Sequence, residues 1–119
     1  MAYGRNGLPV EFPDSWEVTV VRHPHMPVLP DPAAAVRRAL SDPVGCGSLI
    51  AEAQGCSSAC VAICDITRPV PNGIILPVVL RELLQAGIPR EGITVLVATG
   101  LHRPNVGDEL SELIGDRWV

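Results

Sequence analysis

The fold of this chain is decided by the stretch Ala59-Cys-Val-Ala-Ile-Cys-Asp-Ile-Thr-Arg-Pro-Val-Pro-Asn72, an apolar run followed by a polar loop. The run Ala59–Cys64 is apolar throughout, which predicts a strand buried on both faces of a parallel sheet. Each proline disfavours helical backbone at the residue before it, so Arg68 and Val70 are predicted to be extended. The loop should therefore hold Asp65 and Arg68 at a fixed offset.

A second stretch repeats this arrangement further along the chain. The predicted strand Ile93–Val97 is followed by the polar loop Ala98-Thr-Gly-Leu-His-Arg-Pro-Asn105. Between the two strands, Ile75–Ala86 is predicted to be helical and to end at Gly87. Strands separated by helices indicate an α/β fold with an open, mainly parallel sheet and flanking helices, Rossmann-like in class. Ligands bind such sheets beyond the carboxyl ends of the strands, where both loops fall.

The remaining elements are predicted from capping and propensity signals within one domain, residues 1–119. Residues 1–15 should form an irregular lead-in, with a short strand near Leu8–Phe12. The β-rich segment Trp16–Arg22 predicts a first strand. Caps and terminating residues predict three more helices: Pro32–Leu40 with Asp31 as its cap, Ser48–Gln54 and Gly107–Ile114.

Composition excludes several classes of protein. Apolar residues make up 47% and charged residues 18%, which favours a folded domain over disorder. The net charge of −4 predicts neither nucleic-acid nor membrane binding. All nine cationic side chains are arginine, and the missing lysine removes Schiff-base and P-loop chemistry from this chain. Since Met1–Trp16 contains no apolar signal segment and Ile74–Leu80 is too short to span a bilayer, we expect a soluble cytoplasmic protein.

Three weaker patterns give no strong indication of a metal or dinucleotide site. The cysteines are expected to be reduced, and those spaced four apart match no structural zinc pattern, so they are predicted to be core thiols: Cys56, Cys60 and Cys64. His23 and His25 lie in a proline-containing loop and could chelate a metal weakly, although a plain loop is about equally favoured. The Gly-x-Gly of residues 45–47 lacks a preceding strand and a third glycine, so it is not a dinucleotide fingerprint.

Three side chains in the two loops could carry chemistry. His102 follows a glycine at a strand end and could exchange protons near neutral pH, although a surface histidine without a role is the alternative. Arg68 could bind a carboxylate or phosphate with two hydrogen bonds. Asp65 could accept a bond from a ligand hydroxyl or orient His102, or it could pair with Arg68 only to tie the loop together. Together they suggest a site for a small hydroxy or keto acid, or for a phosphorylated ligand.

The loops Asp65–Asn72 and Ala98–Pro104 resemble the signature stretches of the nickel-dependent lactate racemase family. The resemblance covers nearly the whole chain but only the N-terminal part of a family member, and it includes further short matches: Tyr3-Gly4, Ala39-Leu40, Pro43-Val-Gly45 and Ala86-Gly-Ile88. It implies racemisation or epimerisation of 2-hydroxy acids with a nickel pincer nucleotide derived from nicotinic acid. The implied reaction is proton-coupled hydride transfer. A base takes the hydroxyl proton, the α-hydrogen moves as hydride to the cofactor's pyridinium ring, and the planar keto acid takes it back on either face.

The resemblance also implies roles for individual residues. His102 matches one of the family's two acid–base histidines, and Arg68 matches the arginine near the substrate carboxylate. Asp65 matches the acid at the cofactor and substrate site. The residues expected to bind the cofactor are the following four: Asp65, Thr67, Thr99 and Gly100.

The chain departs from the family pattern in ways that imply a missing partner. The family anchors its cofactor to a lysine, which this chain lacks, and its second acid–base histidine and nickel-ligating histidine lie beyond Val119. We therefore expect the N-terminal portion of a racemase that needs its C-terminal half, in cis or in trans. The alternatives are a non-catalytic module that binds an anionic or nucleotide ligand and, less favoured, an unrelated phosphate-binding α/β domain.

Overall fold

The computed structural model describes residues 1, 3–4 and 6–119 and contains helices and two strands in alternation. The elements in chain order are α1 (Pro32–Ser41), α2 (Leu49–Ala53), β1 (Ala59–Cys64), α3 (Asn72–Gln85), a 3-10 turn (Arg90–Gly92), β2 (Ile93–Ala98) and α4 (Asp108–Ile114). The predicted α/β class, with a parallel sheet and flanking helices, is confirmed. Ala2 and Arg5, within the predicted lead-in, lie outside the described residues.

The sheet aligns the ends of its two strands. β1 and β2 pair in parallel, from Ala59 opposite Ile93 to Cys64 opposite Ala98. α3 connects the end of β1 back to the start of β2, as a parallel pair requires. Because Cys64 and Ala98 are partners, the two polar loops leave the sheet side by side.

The core lies between the helices and one face of the sheet. On that face, Val61 and Val95 contact both apolar clusters. The first cluster has four buried members: Ala53, Leu80, Leu83 and Ile88. The second has three: Ile63, Leu76 and Leu113. A 14-residue α3 supplies three of these seven residues, so it is the main element that fixes the sheet against the other helices.

The opposite face of the sheet is uncovered, which overturns the prediction of a strand buried on both faces. The alternate residues of the two strands are exposed: Cys60, Ala62, Cys64, Thr94, Leu96 and Ala98. The prediction that Cys56, Cys60 and Cys64 are core thiols is therefore wrong, and all four cysteines are free and exposed. The physical reason is that the described helices pack on a single face, so alternate side chains of each strand point away from them.

The two strands predicted before α1 are also absent from the described residues. Trp16–Arg22 and Leu8–Phe12 are exposed and form no ladder. A β-rich composition favours extended backbone, but a strand also needs an edge to pair with, and β1 and β2 pair only with each other. Every described residue from 1 to 30 is exposed, which explains a radius of gyration of 19.4 Å where a compact chain of this length would have about 13.5 Å.

Side chains cap the first two helices, and the Asp31 cap was predicted. The Asp31 carboxylate accepts a hydrogen bond from the Ala34 amide at 2.9 Å, with Pro32 in the first helical position. The Ser48 hydroxyl accepts one from the Ala51 amide at 3.2 Å. None of the described helices is long and apolar enough to cross a membrane.

Helix α3 begins earlier than predicted because α4 fixes its first turn. The Asn72 side chain donates a buried hydrogen bond of 3.1 Å to the Leu113 carbonyl. Gly73 lies so close to Gly115 that a Cβ at Gly73 would sit 2.6 Å from the Gly115 carbonyl oxygen. With the start at Asn72, Pro77 lies in the second turn and not in the first, where a proline costs no hydrogen bond.

Candidate active site at the carboxyl ends of the strands

An open cleft of about 440 Å³ lies where the two strands end. Its walls come from the last residues of β1 and β2 and from the two loops that follow them: Cys64, Asp65, Arg68, Ala98, Thr99, Gly100, Leu101 and His102. Five of the six predicted site residues line it, and the sixth, Thr67, does not. The parallel register is the cause, because it brings loops that are distant in sequence to one edge of the sheet.

Asp65 and His102 form the polar centre of the cleft. The Nδ1 atom of His102 is hydrogen-bonded to Oδ2 of Asp65. Asp65 is only 4% exposed, whereas His102 is 51% exposed. The acid is therefore held within the protein while much of the imidazole faces the open cleft.

The other carboxylate oxygen of Asp65 is held by Thr67. Oδ1 accepts one bond from the Thr67 hydroxyl at 2.6 Å and another from the Thr67 amide at 3.1 Å. The bond from the Thr67 hydroxyl, followed by the bond from His102, lowers the pKa of Asp65 below its ordinary value of 3.8. Asp65 is therefore an anion at neutral pH.

The charge of Asp65 sets the proton position on His102. An ionised carboxylate can only accept hydrogen bonds, so the shared proton belongs to Nδ1 of the imidazole. Nε2 of the neutral ring is then left with a free lone pair. In this arrangement Nε2 of His102 can accept a proton, while the bond to Asp65 favours the tautomer with the proton on Nδ1.

Arg68 lines the same cleft without being bound by Asp65. The Asp65 carboxylate is hydrogen-bonded to Thr67 and His102. Among the described residues it does not form the alternative pair with Arg68 that would only tie the loop together. The loop is closed by its backbone instead, through a bond of 3.1 Å from the Arg68 amide to the Asp65 carbonyl. The guanidinium, on an exposed residue, can therefore meet an anionic ligand.

The second loop turns sharply after β2. The His102 amide donates to the Thr99 carbonyl at 2.9 Å, and Gly100 has a φ of +59°. That backbone conformation is strained for residues with a Cβ, so a glycine between Thr99 and His102 lets the ring return toward Asp65.

A second layer of polar residues supports the site and was not predicted from the sequence. Asn105 is buried and contacts both loops, while Glu109 at the start of α4 binds Asn105 and Arg103. The signal available in the sequence was an acidic first turn of α4 preceded by an amide and an arginine. Its partners could not be assigned without the fold.

His23 and His25, which were considered as a weak metal site, do not line this cleft. The ring of His23 is bonded through Nδ1 to the Pro24 carbonyl at 2.7 Å, in the exposed N-terminal segment. Across the part of the chain that the structure describes, no three His, Cys, Asp or Glu side chains are grouped so that they could hold a metal ion.

The fold and the site define an α/β domain that carries an Asp–His pair and an accessible arginine at the ends of its parallel strands. The chain belongs to the lactate racemase N-terminal domain family, whose profile matches residues 3–119.

Individual relatives agree with this assignment. The chain is 40% identical over 84 residues to the lactate racemase of Lactiplantibacillus plantarum, covering 71% of this chain and 20% of that protein. It is 30% identical over 119 residues to the lactate racemase of Thermoanaerobacterium thermosaccharolyticum, covering 98% of this chain and 28% of that protein. The structure of the latter enzyme's apoprotein superposes with a TM-score of 0.65 at 32% identity, over 75% of this chain and 21% of that one. The chain therefore spans less than a third of the length of these relatives.

Proposed function

We propose that this chain supplies the N-terminal part of the active site of a lactate-type 2-hydroxy acid racemase. The observation that carries the proposal is the hydrogen bond between Asp65 and His102 in a cleft that Arg68 also lines. A racemase of this kind must take a proton from the substrate hydroxyl and hold the substrate carboxylate still. The cleft contains one group suited to each task.

His102 acts as the base in the proposed reaction. Nε2 accepts the proton of the substrate hydroxyl, while Nδ1 keeps its own proton and donates it in a hydrogen bond to Asp65. The positive charge that develops on the imidazole lies beside the Asp65 carboxylate, which stabilises it. The same histidine returns the proton when the hydroxyl is restored.

Arg68 binds the substrate carboxylate. A guanidinium matches a carboxylate with two parallel hydrogen bonds, which fix the plane of the acid as well as its position. The hydroxyl of Thr99, across the same cleft, can hold a further polar group of the substrate or cofactor. Fixing the substrate in this way lowers the entropic cost of bringing the α-carbon to the reacting geometry.

The residues present fit part of the nickel pincer nucleotide that we propose as cofactor. Arg68 and Thr99 offer donors for a phosphate or carboxylate, and Asp65 and Gly100 complete that side of the cleft. Thr67 supports this site through Asp65, which its hydroxyl binds. When bound, the cofactor supplies the acceptor and donor of the α-hydrogen as hydride. The covalent anchor would come from another part of the polypeptide, because this chain has no lysine.

The proposal therefore includes a second part of the polypeptide, in cis or in trans, that closes the open cleft. The test is to measure interconversion of L- and D-lactate by this chain alone, by the downstream part alone, and by both joined or mixed with cofactor. Only the combination should racemise. If the combination still racemises lactate after Asp65 and His102 have both been replaced, the role given to this site is refuted.

A non-catalytic module that binds an anionic ligand is the second candidate, favoured by the accessible Arg68 in a chain without lysine. Both candidates predict that lactate shifts the NMR signals of Arg68 and His102. They differ in turnover, because a binding module would hold the acid without interconverting its enantiomers in the combined system.

A further inference from the structure

The two loops of the site are joined by one buried amide. Oδ1 of Asn105 accepts a hydrogen bond from the backbone amide of Ile66 at 3.3 Å. Asn105 lies three residues after His102, and Ile66 immediately follows Asp65. Asn105 is 9% exposed, so this bond competes little with water. The bond ties the residue next to the acid to the loop that carries the base.

The orientation of this amide is set by Glu109. Nδ2 of Asn105 donates to Oε2 of Glu109 at 2.9 Å. An ionised carboxylate accepts hydrogen bonds and cannot donate them, so the NH2 group of Asn105 must face Glu109. The carbonyl oxygen must then face the Ile66 amide. A rotated amide would place two acceptors together at Glu109 and two donors together at Ile66.

Glu109 is in turn held by Arg103. The two guanidinium nitrogens donate to the two carboxylate oxygens at 2.5 and 2.6 Å, a paired geometry that fixes the plane of the acid. These bonds, with that from Asn105, lower the pKa of Glu109 to about 2. The carboxylate therefore remains charged, and an acceptor for Asn105, under all ordinary conditions.

We propose that Asn105, oriented by Glu109 and Arg103, is a positioning residue that sets the distance and tautomer of the Asp65–His102 pair. It touches neither substrate nor cofactor in this assignment and acts only through the two loops. The catalytic importance of that pair rests on the function proposed above, but the geometric effect of Asn105 does not. The chain of contacts runs from Arg103 through Glu109 and Asn105 to Ile66, and so to Asp65.

The proposal differs from a purely structural role in what it predicts for the imidazole. If Asn105 only stabilises the fold, its removal lowers stability but leaves His102 bonded to Asp65 in every folded molecule. If Asn105 sets the relative position of the loops, its removal frees the ring. A neutral ring without its partner then populates both tautomers, because nothing holds the proton on Nδ1.

The test reads the His102 tautomer by NMR in the 119-residue chain labelled with 15N-histidine. Long-range proton–nitrogen correlations distinguish the protonated from the unprotonated ring nitrogen, and a His102→Gln sample assigns the signal among three histidines. The wild-type neutral ring should show a protonated Nδ1. Asn105→Ala should convert this single form to a mixture, and Glu109→Gln should do so in part. Asp108→Asn, which removes an exposed charge one residue away, should leave the wild-type form.

The result that overturns the proposal is an unchanged Nδ1–H form in folded Asn105→Ala, with folding verified by circular dichroism and amide dispersion. If that variant does not fold, Glu109→Gln decides the question, because it changes one charge on a partly exposed residue. A tautomer unchanged in Glu109→Gln would likewise overturn it. No substrate is present, so failure here is distinct from failure of the racemase proposal, which is read from lactate interconversion.

Discussion

Asp65 and His102 are hydrogen-bonded although 37 residues separate them in the sequence. The register of the sheet explains this, because the residues at which the two strands end, Cys64 and Ala98, lie opposite each other. Asp65 directly follows β1, while a tight turn at Gly100 brings His102 back toward it. Parallel pairing of the two strands therefore brings Asp65 and His102 together without a long loop.

The first prediction concerns the base. We expect His102→Ala to lower racemisation of lactate in the completed protein by about 10²- to 10⁴-fold, the usual contribution of a positioned acid–base group. The fold should persist, because 51% of the side chain is exposed. Chiral chromatography of lactate, combined with thermal unfolding of the same sample, measures both effects.

His23→Ala is the matched control for this prediction, since it removes an exposed histidine in the N-terminal segment. It should retain wild-type turnover. Equal activity of the two variants would remove His102 from the mechanism.

The second prediction separates charge from geometry at Arg68. Arg68→Lys keeps the positive charge but loses the paired hydrogen bonds, so the KM for lactate should rise while some binding persists. Arg68→Ala should raise KM further, by about ten- to a hundred-fold, which corresponds to losing a hydrogen bond to a charged group of about 1.5–3 kcal/mol. Steady-state kinetics in both directions provides the measurement.

Arg37→Ala, at an exposed arginine on α1, serves as the control for nonspecific charge effects. If it raises KM as much as Arg68→Ala does, the carboxylate is bound by general attraction to positive charge and Arg68 is not its partner.

Much of this site was predictable because its signals are local. The limits of β1 agree with the prediction at both ends, and β2 differs by one residue. Asp31 caps the helix it was expected to cap. The convergence of Asp65 and His102 follows from two apolar strands separated by a helix, since such strands are parallel and expose their carboxyl ends together.

The failed predictions depend on partners that a local pattern does not contain. The alternation of Val61 and Ile63 with Cys60 and Cys64 becomes meaningful only once the helices are known to cover one face. Likewise, the composition of Trp16–Arg22 favours extended backbone, whereas a strand needs a free edge beside it. The bond between Asn105 and Ile66 joins residues 39 apart, so neither loop alone indicates it.

The third prediction tests the uncovered face of the sheet. In a Cys46→Ser, Cys56→Ser background, the two remaining thiols, Cys60 and Cys64, should react with a colorimetric thiol reagent without denaturant, because both are exposed. The native reaction should approach the rate measured in urea. Protection of either thiol in the monomeric chain, verified by size-exclusion chromatography, would contradict the exposed face described here.

The fourth prediction follows from Glu109. Its pKa falls from an ordinary 4.5 to about 2 in the folded chain, so its stabilising effect is full above 4.5 and is lost as the pH falls toward 2. The unfolding temperature should therefore drop on acidification through this window. Glu109→Gln should show a smaller drop than wild type. Circular dichroism melts from about pH 6 to about pH 2 provide the comparison.

Part of the acid sensitivity should remain in Glu109→Gln, because the pKa of Asp65 is also lowered and its contribution is lost below 3.8. Asp108→Asn is the control, since it removes a neighbouring carboxylate on the same turn of α4. A melt profile of Glu109→Gln that parallels wild type would mean that the Arg103–Glu109 bonds do not form in solution.

The last prediction concerns the contact that fixes α4 to α3. Gly73→Ala would normally favour a helix, because alanine is the better helix former by up to about 1 kcal/mol. Here the new methyl group would lie 2.6 Å from the carbonyl oxygen of Gly115. Its nearest neighbours are all backbone atoms of Gly115, which cannot rotate away as a side chain could. We expect the overpacking to win and to lower the free energy of unfolding by about 1–3 kcal/mol. Gly47→Ala is the matched control, because the one close contact of its methyl group would be with the movable end of the Glu52 side chain, and its contact with the Ala51 Cβ, at 3.7 Å, is an ordinary one. Chemical denaturation of both variants decides the matter: a Gly73→Ala chain as stable as Gly47→Ala would show that the two helix ends do not approach this closely.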